Sequence, residues 1–174
     1  MDQAKEDLLV LSAQIGDTQA FGALFNLYQA PLLRFSFNVC GNLAMAKDAV
    51  QEAWIKCAKS IKRLKDPRAF KSWMYRSVRW RTIDLMRKSR TDHSSLDDVP
   101  EEQLIATSRE SNQGNEELVS KMAELSDIDR QALHLFYLEE MKISEIAVVL
   151  AIPPGTVKSR LNRARRVLRE KLEN

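Results

Sequence analysis

The stretch that most restricts what this chain can fold into is Lys142–Glu170, KISEIAVVLAIPPGTVKSRLNRARRVLRE. It reads as two short helices joined by a tight turn. Ile146, Ala147 and Leu150 share one face of the first, Ser144–Leu150. The turn is Ala151–Pro154, where two prolines cannot continue a helix. The second helix is expected to open near Gly155-Thr156, with Thr156 as its N-cap. Val157, Leu161, Ala164 and Leu168 then recur at i, i+4, i+7 and i+11, which is one buried stripe. The other faces carry Lys158, Ser159, Arg160, Asn162, Arg163, Arg165, Arg166 and Arg169. A helix presenting these side chains, held at an angle by a packed partner, can enter a DNA major groove. There Arg pairs bidentately with guanine, Asn with adenine, and Ser with base or phosphate. A solvated basic helix in an ordinary bundle is the blander alternative.

Only five Gly and five Pro in 174 residues, with repeated 3.6-residue periodicity, predict an all-α chain. Hydrophobic residues make up 44 %, enough for packed cores. No alternating strand pattern and no internal repeat stands out. No apolar run approaches the roughly 20 residues needed to cross a bilayer, and the N-terminus lacks the pattern of a secretory signal. Cys40 and Cys57 have no metal-ligand spacing, so free thiols and a cytoplasmic location are expected.

The net charge of +3 is unevenly sorted. Residues 59–90 carry twelve basic groups against two acidic, and residues 155–174 seven against two. Between them, residues 91–117 carry one basic group against eight acidic. Two basic blocks separated by an acidic one suggest two nucleic-acid contacts on separate modules. The expected division is a helical unit at 1–91, an acidic linker at 92–115 and a second helical unit at 116–174. The linker has little apolar content, which predicts two loosely tethered units.

Within the first unit, Leu8, Leu11 and Ile15 mark a short helix, ended by Gly16-Asp17. Thr18 is the expected cap of the next, whose core stripe is Phe21, Leu24, Phe25 and Tyr28. Pro31 is expected to bend that helix or open another. A helix over about Leu43–Ile61 turns Ala46, Val50, Ala53, Trp54, Cys57 and Ile61 inward. Its outer side shows Asp48, Gln51, Glu52, Ile55 and Lys59, a face suited to a partner helix bearing arginines, or simply to solvent. After the basic loop at 62–65, Asp66-Pro67 starts a helix over Arg68–Arg90. Phe70, Trp73, Met74, Ser77 and Leu85 are its expected core. Lys71, Tyr75, Arg76, Arg79, Trp80, Arg81, Ile83 and Arg87 occupy its other faces. Rings among cations suit single-stranded nucleic acid, the cations tracking phosphates and the rings stacking on bases. Alternatively, Tyr75 and Trp80 complete a core against the preceding helices. In the second unit, Ser126-x-x-Asp129 looks like a capping box opening a helix with Ile128, Leu133, Phe136 and Tyr137. His93 and His134 lack partners at ligand spacing, and no phosphate loop or nucleophile elbow is present. The reading is therefore a chain with no enzyme activity, cofactor or metal.

Three segments carry a family resemblance. Asp48–Trp54 (DAVQEAW) is similar to the "EDLVQEaf" segment of the sigma-70 family, extracytoplasmic-function (ECF) group. Phe70–Arg76, continuing to Ile83, Asp84 and Arg87, resembles "f..WLyrIArN.aiD..R", and Gly155–Arg165 resembles "GTVrSRlhRAr". The resemblance covers nearly the whole chain and implies sigma region 2, a linker, and sigma region 4 with its helix-turn-helix. It implies an initiation factor that binds core RNA polymerase, recognises −35 and −10 promoter elements and aids melting. Asp48, Gln51, Glu52 and Ile55 would dock on the β′ clamp helices. The β flap is a further implied polymerase contact. Lys62, Arg63, Lys65, Arg68, Lys71, Tyr75, Arg76, Arg79, Trp80 and Arg87 would bind the −10 element. Thr156, Lys158, Ser159, Arg160, Asn162, Arg163 and Arg166 would read the −35 element. An anti-sigma partner is implied; a small-molecule substrate and membrane insertion are not. The competing reading is a stand-alone helix-turn-helix regulator. The chain departs from the pattern at Trp80, in place of Asn, and at Lys142, in place of a Ser/Thr cap. Ala151 replaces the turn Gly, and a left-handed Ala there would carry about 1–2 kcal/mol of strain.

Overall fold

The computed structural model describes residues 2–92, 122 and 125–172. Helices α1 (Gln3–Gln14), α2 (Thr18–Cys40), α3 (Leu43–Ser60) and α4 (Phe70–Asp92) form the first unit. Helices α5 (Asp127–Leu133), α6 (Ile143–Leu150) and α7 (Pro154–Leu172) form the second. There is no strand among the described residues.

The local stop and start signals act largely as the residues suggest. Asp17, rather than Thr18, caps α2, its carboxylate accepting the Gln19 and Ala20 amides at 2.9 and 3.1 Å. Gly41 ends α2 at φ 67°, a left-handed conformation that costs glycine nothing. Asn42 then caps α3 by accepting the Met45 amide at 2.9 Å. Pro31 neither breaks α2 nor opens another helix: α2 continues through it from Thr18 to Cys40. Leu24, Tyr28, Leu32, Phe35 and Val39 hold that helix in the core along its length. Packing outweighs one lost backbone bond.

Helices α1 to α4 enclose a core of Val10, Leu24, Leu32, Phe35, Val50, Phe70, Met74 and Val78. The rings of Phe21 and Phe25 meet Trp54 at centroid distances of 5.8 and 5.1 Å. Behind them Tyr28 donates a short hydrogen bond to Glu6, both side chains being buried. In the second unit Val157, Leu161 and Ala164 of α7 close over Ile146, Val149 and Leu150 of α6.

The two units are not loosely tethered. Helix α6 lies along α4, α5 lies against α2, and the apolar residues of both units join one core. The expectation of separate bodies looked for apolar glue in the linker. The contact is supplied by the helices themselves: the Phe35 and His134 rings sit 5.5 Å apart, and Arg79 Nε donates to Gln131 Oε1 at 2.7 Å. Arg130 also reaches the Asn38 carbonyl at 3.4 Å.

Candidate nucleic-acid and protein interfaces

Helix α3 separates its faces by period. Ala46, Val50, Ala53, Trp54 and Cys57 are buried, while Asp48, Gln51, Glu52, Ile55 and Lys59 are exposed along the opposite side. Ile55 stands out among acidic and amide neighbours with half its surface in solvent. Glu52 does not point freely outward: it pairs with Arg81 of α4, tying the outer edge of α3 to the next helix.

The basic loop is held from behind. Gln14 Nε2 donates to the Ile61 carbonyl at 2.9 Å and to the Leu64 carbonyl at 2.7 Å. This leaves Lys62, Arg63 and Lys65 exposed while Ile61 is buried beneath them. One amide can serve both carbonyls because its two hydrogens diverge. Asp66 accepts the Arg68 amide at 3.0 Å and also pairs with the Arg68 side chain. That hydrogen bond from Arg68 holds the half-exposed Asp66 carboxyl below its usual range.

Along α4 the exposed stripe is Arg76, Trp80, Ile83, Arg87 and Arg90, at i, i+4, i+7, i+11 and i+14. Trp80 is 61 % exposed, with Lys56 Nζ of α3 placed 5.8 Å from its ring centroid. A shallow hollow of about 250 Å³ beside it is lined by Glu52, Ala53, Lys56, Ser77, Trp80 and Arg81. Asp84 lies almost buried under this stripe and gathers Arg81 at 2.5 Å, Arg87 at 2.7 Å and Lys88 at 3.1 Å. The Lys88 hydrogen bond, with Arg87 and Arg81, holds the Asp84 carboxyl below the usual range against the opposing pull of desolvation. The i+3 and i+4 spacing of these pairs is legible in the sequence.

Three residues placed with this stripe by sequence lie elsewhere. Tyr75 is fully buried, its ring 5.4 Å from Phe35 and its hydroxyl donating to Glu139 Oε2 at 2.5 Å. Lys71 Nζ donates to the Glu139 carbonyl at 2.5 Å, and Arg79 to Gln131 as above. All three point at the second unit. Tyr75 is thus a core residue; Val78, Thr82 and Asp84 are buried as well, and Ser77 is only half-buried.

The second unit is built to hold α7 outward. Its α6–α7 turn has Ala151 at φ 54°, ψ 43°, and the Ile152 amide bonds back to the Ala147 carbonyl at 3.2 Å. This is a Schellman closure made with alanine where glycine is usual. Lys142 starts α6 without a side-chain cap, and Glu145 accepts the Lys142 amide at 2.8 Å instead. Helix α7 begins at Pro154, so Thr156 lies in its first turn and is not the N-cap. Proline tolerates that position because its missing amide would have had no partner there.

On α7, Lys158, Ser159, Asn162, Arg163 and Arg166 are exposed together; Thr156 and Arg160 are half-buried at the margin. Ser126 accepts the Asp129 amide at 3.3 Å as a cap, but the Asp129 carboxylate does not return the bond to form a box. It is buried beneath α7 and faces Arg160 at 3.4 Å and Arg163 at 3.7 Å. Arg165 is held by Tyr137 Oη at 2.7 Å, lies over the Phe136 and Tyr137 rings, and donates to Asn162 at 3.3 Å. A row of donors and acceptors thus lies on a solvent-facing helix, with Arg160 and Arg163 facing Asp129 and Arg165 held by Tyr137 beneath it.

No group of three or more His, Cys, Asp or Glu side chains with metal-binding geometry occurs among the described residues. Both cysteines are free. No helix among the described residues is long and apolar enough to cross a membrane.

Comparison with known proteins agrees with this arrangement. The family described as Sigma-70 region 2 matches residues 24–91, and Sigma-70, region 4 matches residues 115–168. The chain is 30 % identical over 176 residues to the ECF RNA polymerase sigma factor SigW of Bacillus subtilis, covering 91 % of this chain and 92 % of that one. It is 30 % identical over 174 residues to the ECF RNA polymerase sigma factor SigL of Mycobacterium tuberculosis, covering 94 % and 95 %. The same fold occurs in the sigma factor RpoE of Bartonella quintana, solved with the anti-sigma factor NepR. The TM-score there is 0.76 at 23 % identity, over 90 % of this chain and 98 % of that chain. CnrH, solved with the cytosolic domain of CnrY, gives a TM-score of 0.70 at 22 % identity, over 99 % and 98 %.

Proposed function

Because this chain belongs to the extracytoplasmic-function group of the sigma-70 family, we propose that it binds core RNA polymerase and directs initiation at promoters bearing its own −35 and −10 elements. It acts as a specificity subunit and leaves the phosphodiester chemistry to the core enzyme. The observation that carries this reading is the outward face of α7, where Lys158, Ser159, Asn162, Arg163 and Arg166 stand together on a helix seated against α5 and α6. That row matches the major-groove code for bidentate Arg and Asn contacts, with Lys on phosphate.

Asp48, Gln51, Glu52 and Ile55 dock on the β′ clamp helices; the acidic and amide groups meet basic side chains and Ile55 supplies an apolar anchor. Lys62, Arg63, Lys65 and Arg68, with Arg76, Trp80 and Arg87, engage the −10 element and its opened strand. The exposed indole of Trp80 offers a stacking surface, and Lys56 keeps a positive charge over it. Lys71 and Arg79 join this face when the second unit moves away. The β flap is a further contact on the polymerase, and an anti-sigma protein is the partner that restrains the chain in the cell, where it works in the cytoplasm.

The test is a titration of bacterial core RNA polymerase with the wild-type chain and with a triple variant, Asp48→Ala, Gln51→Ala, Glu52→Ala. Tight binding by the wild type, weakened at least tenfold in the variant, is expected. A folded wild-type chain that fails to bind core but binds a specific duplex by itself would replace this reading with a stand-alone regulator.

A further inference from the structure

The row on α7 contains one side chain whose direction is set from another element. Asn162 is exposed in the middle of the row, between Ser159 and Arg166. One turn on, Arg165 Nη1 donates to its Oδ1 at 3.3 Å. Arg165 is itself held on two sides. Its Nε donates to Tyr137 Oη at 2.7 Å, and its guanidinium carbon lies 5.3 and 5.5 Å from the Phe136 and Tyr137 ring centroids. Those rings are consecutive residues of the π-helical turn His134–Leu138, which follows α5, and they meet edge to face at 5.0 Å. Turns of this kind recur at functional sites. Here the turn offers one hydroxyl and two ring faces to a single guanidinium.

We propose that Tyr137, Arg165 and Asn162 form a relay that fixes which end of the Asn162 amide faces DNA, so that Asn162 selects guanine over adenine within the −35 element. This deepens the sigma-factor reading and rests on it. An unrestrained Asn pairs with adenine, its oxygen accepting from N6 while its nitrogen donates to N7. That pairing needs both ends of the amide. In this chain Arg165 already occupies the oxygen. The amide cannot be turned round, because a guanidinium has only donors and would then face the NH2 group, donor against donor. The positive charge beside the oxygen also opposes a base amino group, whether adenine N6 or cytosine N4. The NH2 group is left pointing away from Arg165 with its two hydrogens. Guanine carries two adjacent acceptors, O6 and N7, on its major-groove edge. Tyr137 and Arg165 are positioning residues: neither belongs to the row, and their effect reaches the base through Asn162.

The experiment offers a pool of promoter duplexes, randomised across the −35 element, to core RNA polymerase loaded with the full chain, and in parallel to the chain alone. Bound duplexes are sequenced, and circular dichroism verifies that each variant folds. Asn162→Ala locates the position that Asn162 reads, as the one where base preference flattens. The wild type is expected to favour guanine there. Arg165→Met frees the oxygen and is expected to raise the ratio of adenine to guanine about tenfold at that position alone. Tyr137→Phe keeps every charge and both rings, so a several-fold shift in the same direction separates positioning from phosphate attraction. It also decides alone if Arg165→Met fails to fold. A wild-type preference for adenine at that position would overturn the relay while leaving the sigma reading intact. So would a uniform loss of affinity in both variants with no change in base ratio, or an Asn162→Ala chain whose preferences are unaltered throughout. Enrichment by the chain alone, with no binding to core, would overturn the sigma reading; the same base ratio would still judge the relay. No enrichment in either arm would overturn both.

Discussion

Replacing Ala151 with Gly tests how the helix-turn-helix corner is held. Ala151 sits at φ 54°, ψ 43°, where an L-residue's Cβ crowds the following carbonyl at a cost of about 1–2 kcal/mol. Its methyl is exposed, so removing it loses little packing. Glycine relieves the crowding but gives the unfolded chain more freedom, worth about 0.4–1 kcal/mol in the opposite direction. The difference is a net stabilisation of about 0.5–1 kcal/mol, or a rise in Tm of about 1–4 °C for a chain of this size. Ala151→Val, with a branched side chain at the same angles, should shift Tm downward. Thermal and urea unfolding of the three proteins measure this, with the urea slope showing that the exposed surface is unchanged. An unchanged or lower midpoint for Ala151→Gly would refute the strain argument. The turn would then be held in its left-handed form without penalty, and the Schellman closure through Ile152 would outweigh any crowding of the methyl.

Further predictions concern groups whose roles emerge from packing. Glu6→Ala strands the buried Tyr28 hydroxyl and should cost about 1–3 kcal/mol in urea unfolding, whereas pairing it with Tyr28→Phe should recover much of the loss. Gln14→Ala removes both hydrogen bonds to the Ile61 and Leu64 carbonyls; faster amide exchange across residues 61–65 is expected, with weaker binding of single-stranded DNA and an unchanged fold. Burial pushes the Cys57 thiol up to about 12, which favours the neutral form, so iodoacetamide at pH 9 should alkylate Cys57 only after denaturation. Because its folded value is raised, Cys57 contributes stability that is complete below the ordinary thiol range and lost as pH climbs from about 9 toward 12, which alkaline unfolding curves of wild type and Cys57→Ala would resolve.

Much of the candidate site was legible because it depends on spacing within one helix. The exposed face of α3 follows from a 3.6-residue period, as does the row on α7, and both sets emerge along one side of their helix. Errors arose where two readings shared a period. Helix α4 carries aromatic and basic side chains around much of its circumference, so periodicity left the side occupied by Tyr75 open. The capping signals missed by a residue or two at Thr18 and Thr156, because Asp17 accepts the first amides of α2 and the fixed φ of Pro154 starts α7 two residues earlier.

The sequence by itself determined the all-helical character, the positions of the major stops, the helix-turn-helix and which residues line the exposed rows of α3 and α7. All of these depend on residues within a few turns of one another. Only the tertiary structure decided what the two units do to each other. Tyr75 and Glu139 stand 64 residues apart, and Arg79 and Gln131 stand 52 apart. Nothing in either segment's periodicity requires them to meet. A short polar side chain is indifferent between solvent and a seam until a partner of complementary shape excludes water from it. Once that happens, each buried donor must find its acceptor. That requirement joins Tyr75, Lys71, His134 and Glu139, and it turns a chain of two legible modules into one closed body.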